Sequence, residues 1–346
     1  MAAIRVLVTG AGSGVGQGII KALRASSLDI RIVSSDISIL NSGLFRSDES
    51  ILLPKVESTG ALSHIIESLR QHHIDVLMVG SEFDLTFFAQ HKAEIEAAVD
   101  CFVAVSPLEA VEIADDKWRT AEFLREQNLP YAESFLPADR DAAIEHTRQW
   151  GFPLVLKTRS GTSNRHVHII ESADALARVY DSVPRPMLQR LIARPSSELD
   201  KEYTCSVFKC ADGRLLGPFT SRRTLRAGNS WAIEVAPFEE LRHLLLKIGE
   251  AFPTLGSLNV QLMMSEKGPV PFEFNARFSG TTAVRAHFGF NEAEFLIRNY
   301  FLKETLPEPE IRTGLAFRYL EEIFVDGHRL SELQWPLPRG EVRPWF

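Results

Sequence analysis

Two short stretches hold the residue types best suited to chemistry. Leu258-Asn259-Val260-Gln261-Leu262 and Pro271-Phe272-Glu273-Phe274-Asn275-Ala276-Arg277-Phe278 alternate apolar with polar residues, so each reads as a strand with one polar face. Ser265-Glu266-Lys267-Gly268-Pro269 between them is a turn. A hairpin centred on Lys267 sets Gln261 across from Glu273 and Asn259 across from Asn275, with Arg277 on the same face. A solvated strand surface favours other residues, since Asn is depleted in strands. One carboxylate and the amide oxygens of Asn259, Gln261 and Asn275 suit a hard cation such as Mg²⁺ (or Mn²⁺) that shares phosphate oxygens. Arg277 can grip a phosphate or a carboxylate.

Two lysines precede this hairpin. Lys117 opens a helix, and Lys157 closes the apolar run Gly151–Lys157 beside the small-residue loop Ser160-Gly161-Thr162-Ser163. A buried ammonium is costly unless it meets an anion, and loop amides suit phosphate oxygens. Arg222, Arg223 and Arg226, with Gly228 and Asn229, form a basic patch ahead of the polar hairpin. The patch reads either as a solvated loop or as a clamp for an anionic substrate. Ser279, Gly280 and Thr281 follow Arg277 and could offer amides and hydroxyls to a phosphorylated group.

A third feature is Thr9-Gly10-Ala11-Gly12-Ser13-Gly14-Val15-Gly16, after the first apolar run, with Asp36 at the end of the second. It reads as a dinucleotide loop or as a tight strand-to-helix turn needing glycine for backbone approach. The spacing matches TGxxxGxG of short-chain dehydrogenases better than GxGxxG. No tyrosine is followed by a lysine four residues on: the positions are Phe135, Pro184, Val207, Glu304 and Ile323. That disfavours an NAD(P)-dependent oxidoreductase, although some ligand could still use the loop.

These groups need elements to hold them. In the first third, Ile4–Thr9, Ile30–Ser35, Val76–Val79 and Phe102–Ser106 read as buried parallel strands, and Gly16–Ala25, Leu62–His72 and Leu85–Ala98 as helices. This alternation predicts a doubly wound α/β domain. From about Asp115 the pattern changes to a helix over Lys117–Gln127, capped by Asp115 or Asp116. Strands over Pro153–Lys157, Val167–Ile170, Pro186–Leu191 and Tyr203–Cys210 follow, with helices over Asp139–Trp150, Ala173–Asp181 and Phe238–Phe252. The last stretch, rich in Pro and Trp, reads as an ordered tail.

The 346 residues predict two or three domains. Apolar residues at 45% and a net charge of −7 without a basic stripe disfavour nucleic acid as the main partner. The apolar runs are too short to span a bilayer, and the immediate start of a strand disfavours a signal peptide. Cys101, Cys205 and Cys210 form no pattern, so a reducing cytoplasm is expected.

The order of these motifs resembles the ATP-grasp superfamily, most closely the ATP-binding module of the carbamoyl-phosphate synthetase large subunit, from about Asp115 to Phe290. Asp116-Lys117, Gly151–Lys157 with its loop, Gln189–Leu191, Glu202–Val207, Asn259-Val260-Gln261 and Glu273–Arg277 occur in the family's order. Thr158, Arg190 and the loop Thr162-Ser163-Asn164-Arg165 depart from it. The resemblance implies a Rossmann-like pre-ATP-grasp domain (1–114) and a two-subdomain ATP-grasp module (115–185 and 186–346), an α/β part followed by α+β. It implies that Lys117, Lys157 and the loop Ser160, Gly161, Thr162 and Ser163 bind ATP phosphates. Gln189, Arg190 and Leu191 would form the adenine hinge, with Glu202 near the ribose. Gln261, Glu273 and Asn275 would surround magnesium, with Asn259 and Arg277 near the transferred phosphate.

The expected function is an ADP-forming carboxylate–amine ligase working through an acyl phosphate. Its partners would be a small carboxylate and an amine, in a cytoplasmic protein that could form a homodimer. A nucleotide-binding regulator without turnover stays open beside it. With one such module in the chain, full carbamoyl-phosphate synthesis is not expected.

Overall fold

Short runs of Val, Ile and Leu flanked by helices can satisfy their backbones and bury both faces by pairing in parallel. In the computed structural model, which describes residues 3–161, 166–192 and 202–342, the first third does this. β1 (Ile4–Val8), β2 (Ile30–Asp36), β3 (Glu49–Leu52), β4 (Val76–Met78) and β5 (Phe102–Ala104) form a parallel sheet in the order β3-β2-β1-β4-β5. α1 (Gly14–Arg24), α2 (Ala61–Gln71) and α3 (Leu85–Ala98) connect them. The order reverses between β1 and β4. Ligands of open α/β sheets gather beyond the carboxyl ends of the strands at such a point, where Ser13 and Gly80-Ser81 lie. Side-chain alternation splits the strands between two cores: Leu7, Val33 and Leu77 face Ile65 and Phe88, while Val6, Val8 and Ile32 face Ile19.

α4 (Leu108–Asp115) and α5 (Lys117–Glu126) lead into a four-stranded antiparallel sheet. It comprises β6 (Ser134–Phe135), β7 (Leu154–Thr158), β8 (Val167–Ile170) and β9 (Pro186–Arg190), in the order β6-β9-β7-β8. α6 (Arg140–Trp150) and α7 (Ala173–Val179) share one core with it through Ala143, Leu154, Leu156, Leu176 and Leu188.

The third sheet is larger and antiparallel. β10 (Glu202–Lys209), β11 (Leu215–Phe219), β12 (Ser221–Arg226), β13 (Asn229–Val235), β14 (Gly256–Ser265), β15 (Gly268–Asn275) and β16 (Gly314–Phe317) run in the order β15-β14-β10-β12-β13-β16, with β11 on β10. α8 (Glu239–Ala251) covers one face with α4 and α5 through Leu241, Leu245 and Ile248. The other face shares a core with α1: Phe208, Phe219 and Ile233 pack in one cluster with Val6 and Ile19. α9 (Thr282–His287) and α10 (Glu292–Leu296) complete that layer.

One expectation is corrected here. The stretch around Arg222–Arg226 is a hairpin strand, not a loop: Ser221 pairs with Val235 and Arg226 with Asn229. Ala227 and Gly228 both take positive φ, at 48° and 76°, the conformation that closes a two-residue hairpin without splaying its strands. The tail contributes β16, which pairs with β13, and Gly340 donates its amide to the Phe45 carbonyl at 2.9 Å. Among the described residues no helix is long and apolar enough to cross a membrane.

Candidate functional site

The polar hairpin has the register its alternation predicts: Gln261 lies opposite Glu273 and Asn259 opposite Asn275, with a bulge after Gln261. Its inner face forms one wall of a cavity of about 300 Å³. Asn259, Gln261, Glu273 and Arg277 line that wall. Lys117 and Gly161 close a second side, and Ser13, Gly14, Ser81 and Glu82 from the parallel sheet close a third.

The lysines are held by local structure. Asp116 caps α5 by accepting from the Trp118 amide at 3.0 Å and pairs with Arg159 at 2.5 Å. This fixes the start of the helix that carries Lys117, whose Nζ donates to the Gly161 carbonyl at 3.1 Å. Lys157 is buried on β7, and its Nζ donates to Gln189 Oε1 at 2.8 Å. Burial, then the charge of Lys117, bring its pKa down to about 7, while Glu273 and Glu202 act to raise it. Lys117 lines the cavity and Lys157 does not, although its neighbour Thr158 does. Ser160 accepts from Arg185 Nη1 at 3.3 Å. Thr162 and Ser163 lie outside the described residues.

The remaining expected residues divide sharply. Of the three arginines on β12, Arg223 alone lines the cavity. It donates to Glu202 and Gln261, both at 2.9 Å. Arg222 points to the opposite face, paired with Glu234 at 2.5 Å, because neighbours in a strand alternate sides. Arg226 lies over the Trp231 ring at 4.6 Å. Neither lines the cavity, which corrects the expectation of a three-arginine clamp. Arg190 pairs with Glu133 at 2.7 Å beside Trp150, away from the cavity, and Leu191 follows β9 as it leaves the small sheet. Ser279 and Gly280 line the cavity, whereas Thr281 turns inward to share a hydrogen bond with Ser279 Oγ at 3.0 Å.

The oxygen-rich face is less open than its composition implies. Gln261 donates from Nε2 to Glu273 Oε1 at 3.1 Å, and its own oxygen accepts from Arg223. Asn259 Oδ1 accepts from Thr204 Oγ1 at 2.9 Å and from Arg285. Asn275 borders a neighbouring recess with Asp115 and Glu82. Glu273 is therefore the carboxylate facing the cavity from this hairpin. Among the described residues no group of three or more His, Cys, Asp or Glu side chains is arranged for a metal. A hard cation here would rely on Glu273, amide oxygens and ligand oxygens, a donor set that fits Mg²⁺, which keeps few protein ligands.

Sequence reasoning missed three contributors. Arg318, just past β16, reaches the cavity and donates to the Gly280 carbonyl. Its signal was weak: one arginine in a tail, beside a strand of four residues. Glu82 pairs with Arg277 at 2.7 Å. It follows β4 at the topological switch, so its position could have been inferred from strand order. Arg285 reaches the hairpin from α9, and nothing in the sequence pattern marks it.

The glycine-rich loop has a packing role. A Cβ on Gly16 would sit 2.3 Å from the Gly10 carbonyl oxygen. Asp36 is already satisfied, accepting from the Gly12 amide at 2.8 Å and from Asn41 Nδ2 at 2.5 Å. A ribose would have to displace Asn41, whose side chain covers Gly12. All three cysteines are free and buried, and burial raises the Cys101 and Cys205 thiols to about 12. Thiols held so far above neutral make poor nucleophiles.

The family profile described as the ATP-grasp domain matches residues 114–281. The chain is 22% identical over 298 residues to the carbamoyl phosphate synthase large chain of Halobacterium salinarum, covering 80% of this chain and 28% of that one. It is 27% identical over 117 residues to the carbamoyl-phosphate synthase of Methanobrevibacter smithii, covering 34% of this chain and 31% of that one. The chain thus spans under a third of the curated relatives it matches. Among solved structures, the biotin carboxylase domain of Hydrogenobacter thermophilus 2-oxoglutarate carboxylase, a dimer with MgADP and bicarbonate, superimposes with a TM-score of 0.73 at 16% identity. That likeness covers 99% of this chain and 83% of the other. N5-carboxyaminoimidazole synthetase of Staphylococcus aureus with ADP gives 0.72 at 15% identity, covering 92% and 82%.

Proposed function

Because this chain carries an ATP-grasp domain and resembles the ATP-binding module of carbamoyl phosphate synthase large chains, we propose that it is an ATP-dependent, ADP-forming ligase. It activates a carboxylate as an acyl phosphate for attack by an amine or similar nucleophile. One observation carries the reading: Lys117, Glu273, Arg277 and Arg318 converge with Gly280 on one cavity. ATP lies between the small and large antiparallel sheets, its adenine on the backbone of Leu188–Leu191 and its ribose near Glu202. The parallel sheet is the Rossmann-like domain that precedes such a module, and its Ser13–Gly14 turn faces the acceptor.

Catalysis is then mainly positioning and charge neutralisation. Lys117 and Lys157 hold phosphate oxygens. Arg277, kept in place by Glu82, orients the acceptor, and its Nε is buried without a hydrogen-bond partner among the described residues. Arg318 and Arg223 hold the rest of an anionic acceptor. Mg²⁺ (or Mn²⁺), bound through Glu273 with Asn275 and Gln261, would draw charge from the phosphates. Gln261 must release Arg223 to offer its oxygen, which couples cation binding to arginine movement. A small carboxylate and an amine are the partners, and the three reduced, buried cysteines suit the cytoplasm.

The test is a screen of amino acids, small dicarboxylates and bicarbonate for ATP turnover. At least one should stimulate it, and Glu273→Ala should abolish that stimulation with the melting temperature unchanged. Nucleotide binding with no carboxylate-dependent turnover would instead indicate a regulator. An active Glu273→Ala variant would remove Glu273 from the cation site.

A further inference from the structure

Arg285 and Glu292 are both 0% exposed and pair at 3.1 Å, yet the function above gives them no task. Burying two charges is costly and seldom improves stability over apolar residues of the same size, so such pairs invite a functional explanation. The side-chain bonds the pair makes lead to β14 of the polar hairpin and to its neighbour β10. Glu292 Oε1 accepts from Ser206 Oγ on β10 and Ser257 Oγ on β14, both at 2.5 Å. Arg285 Nη2 donates to Asn259 Oδ1 and, at 3.5 Å, to the Cys205 carbonyl. Thr204 Oγ1 meets the same Asn259 oxygen at 2.9 Å.

This arrangement decides which end of the Asn259 amide faces the cavity. Oxygen and nitrogen of an amide are nearly the same size, so a flip costs little sterically. A guanidinium can only donate, however, so the atom facing Arg285 must be the oxygen. The flipped amide would set N–H groups against a buried cation. The oxygen thus carries two donors, and the N–H₂ remains for the cavity that Asn259 lines.

We propose that Arg285, anchored by Glu292, is a positioning residue that holds Asn259 as a hydrogen-bond donor to the phosphoryl group in transfer, and keeps it from serving as a metal ligand. A donor aimed at charge that develops in the transition state stabilises that state selectively. The inference rests on the ligase reading, and it adds a residue outside the cavity to the machinery.

A double-mutant cycle tests it, with ADP–aluminium fluoride and ADP alone as titrants in the presence of Mg²⁺. Because Arg285→Met alone would strand Glu292, the variant is Arg285→Met with Glu292→Gln, and Thr204→Val provides an uncharged second probe. Asn259→Ala should weaken the fluoride complex by about a hundredfold in the wild-type background and leave ADP binding nearly unchanged. In the Arg285→Met/Glu292→Gln background the same change should cost threefold or less, and Thr204→Val should weaken the fluoride complex alone. Losses that simply multiply would mean the buried pair is structural only, and would overturn the proposal. Wild-type protein binding ADP with no preference for the fluoride complex would instead sink the ligase reading, and this inference with it.

Discussion

At the scale of single side chains, Lys157 is one whose chemistry its surroundings change strongly. Its folded-state pKa of about 7 lies below the usual lysine value because burial and Lys117 disfavour the charged form. Near pH 8 the amine is therefore largely neutral before nucleotide arrives. A polyphosphate beside it favours the ammonium, so binding should take up a proton. Calorimetric titration of MgATP in two buffers of different ionisation enthalpy should show uptake approaching one proton near pH 8. Uptake should vanish near pH 6, where the amine is already charged, and in Lys157→Met. Uptake that persists in Lys157→Met would assign the proton elsewhere. Arg318→Ala should raise the acceptor's KM on the order of tenfold or more, the cost of a lost charged hydrogen bond, while Arg226→Ala changes it little. Equal effects would place both on the acceptor. At this scale the sequence was partly legible. Strand alternation placed Glu273 and Asn259 on one face, but a run such as Arg222-Arg223 does not say which neighbour points inward. Which of Asn259's two amide ends faces the cavity depends on Arg285, a residue 26 positions away.

At the scale of elements, the close packing of backbones fixes the geometry. A Cβ on Gly80 would lie 2.2 Å from the Thr9 carbonyl oxygen and 2.7 Å from Gly16 Cα, with main chain on both sides. Gly80→Ala should cost on the order of 3 kcal/mol, the upper range for overpacking. Gly60 has φ +80° and open space around it, so Gly60→Ala should cost only about 1 kcal/mol. Denaturant unfolding compares the two, and similar losses would contradict the backbone-contact explanation. Periodicity marked most elements well: α3 and β8 fall where it predicts, and the four parallel strands it predicts, β1, β2, β4 and β5, agree within two residues. It missed β3 and β16, because Glu49 and Ser50 in the first and Gly314 in the second interrupt the continuous apolar run that marked β4 and β5. It also missed β12, whose arginines mimic a solvated loop until β13 pairs with it.

Across the whole molecule, one core joins the parallel sheet to the large antiparallel sheet through Ile19, Phe208 and Phe290. The cavity opens where these units meet the small sheet. No single stretch of sequence encodes that meeting, which is why Ser13, Glu82 and Arg318 were not foreseen as its walls. The same assembly brings cations from α5, β12, the end of β15 and the tail to bear on one space. A site so charged suits an anion poised to gain a phosphoryl group more than a hydride-transfer cofactor. The most direct measurement follows one oxygen atom. With the carboxylate that best stimulates turnover labelled with ¹⁸O, the inorganic phosphate released alongside ADP should carry one ¹⁸O, seen as an upfield ³¹P shift. Unlabelled phosphate, or AMP and pyrophosphate in place of ADP, would contradict the acyl-phosphate route.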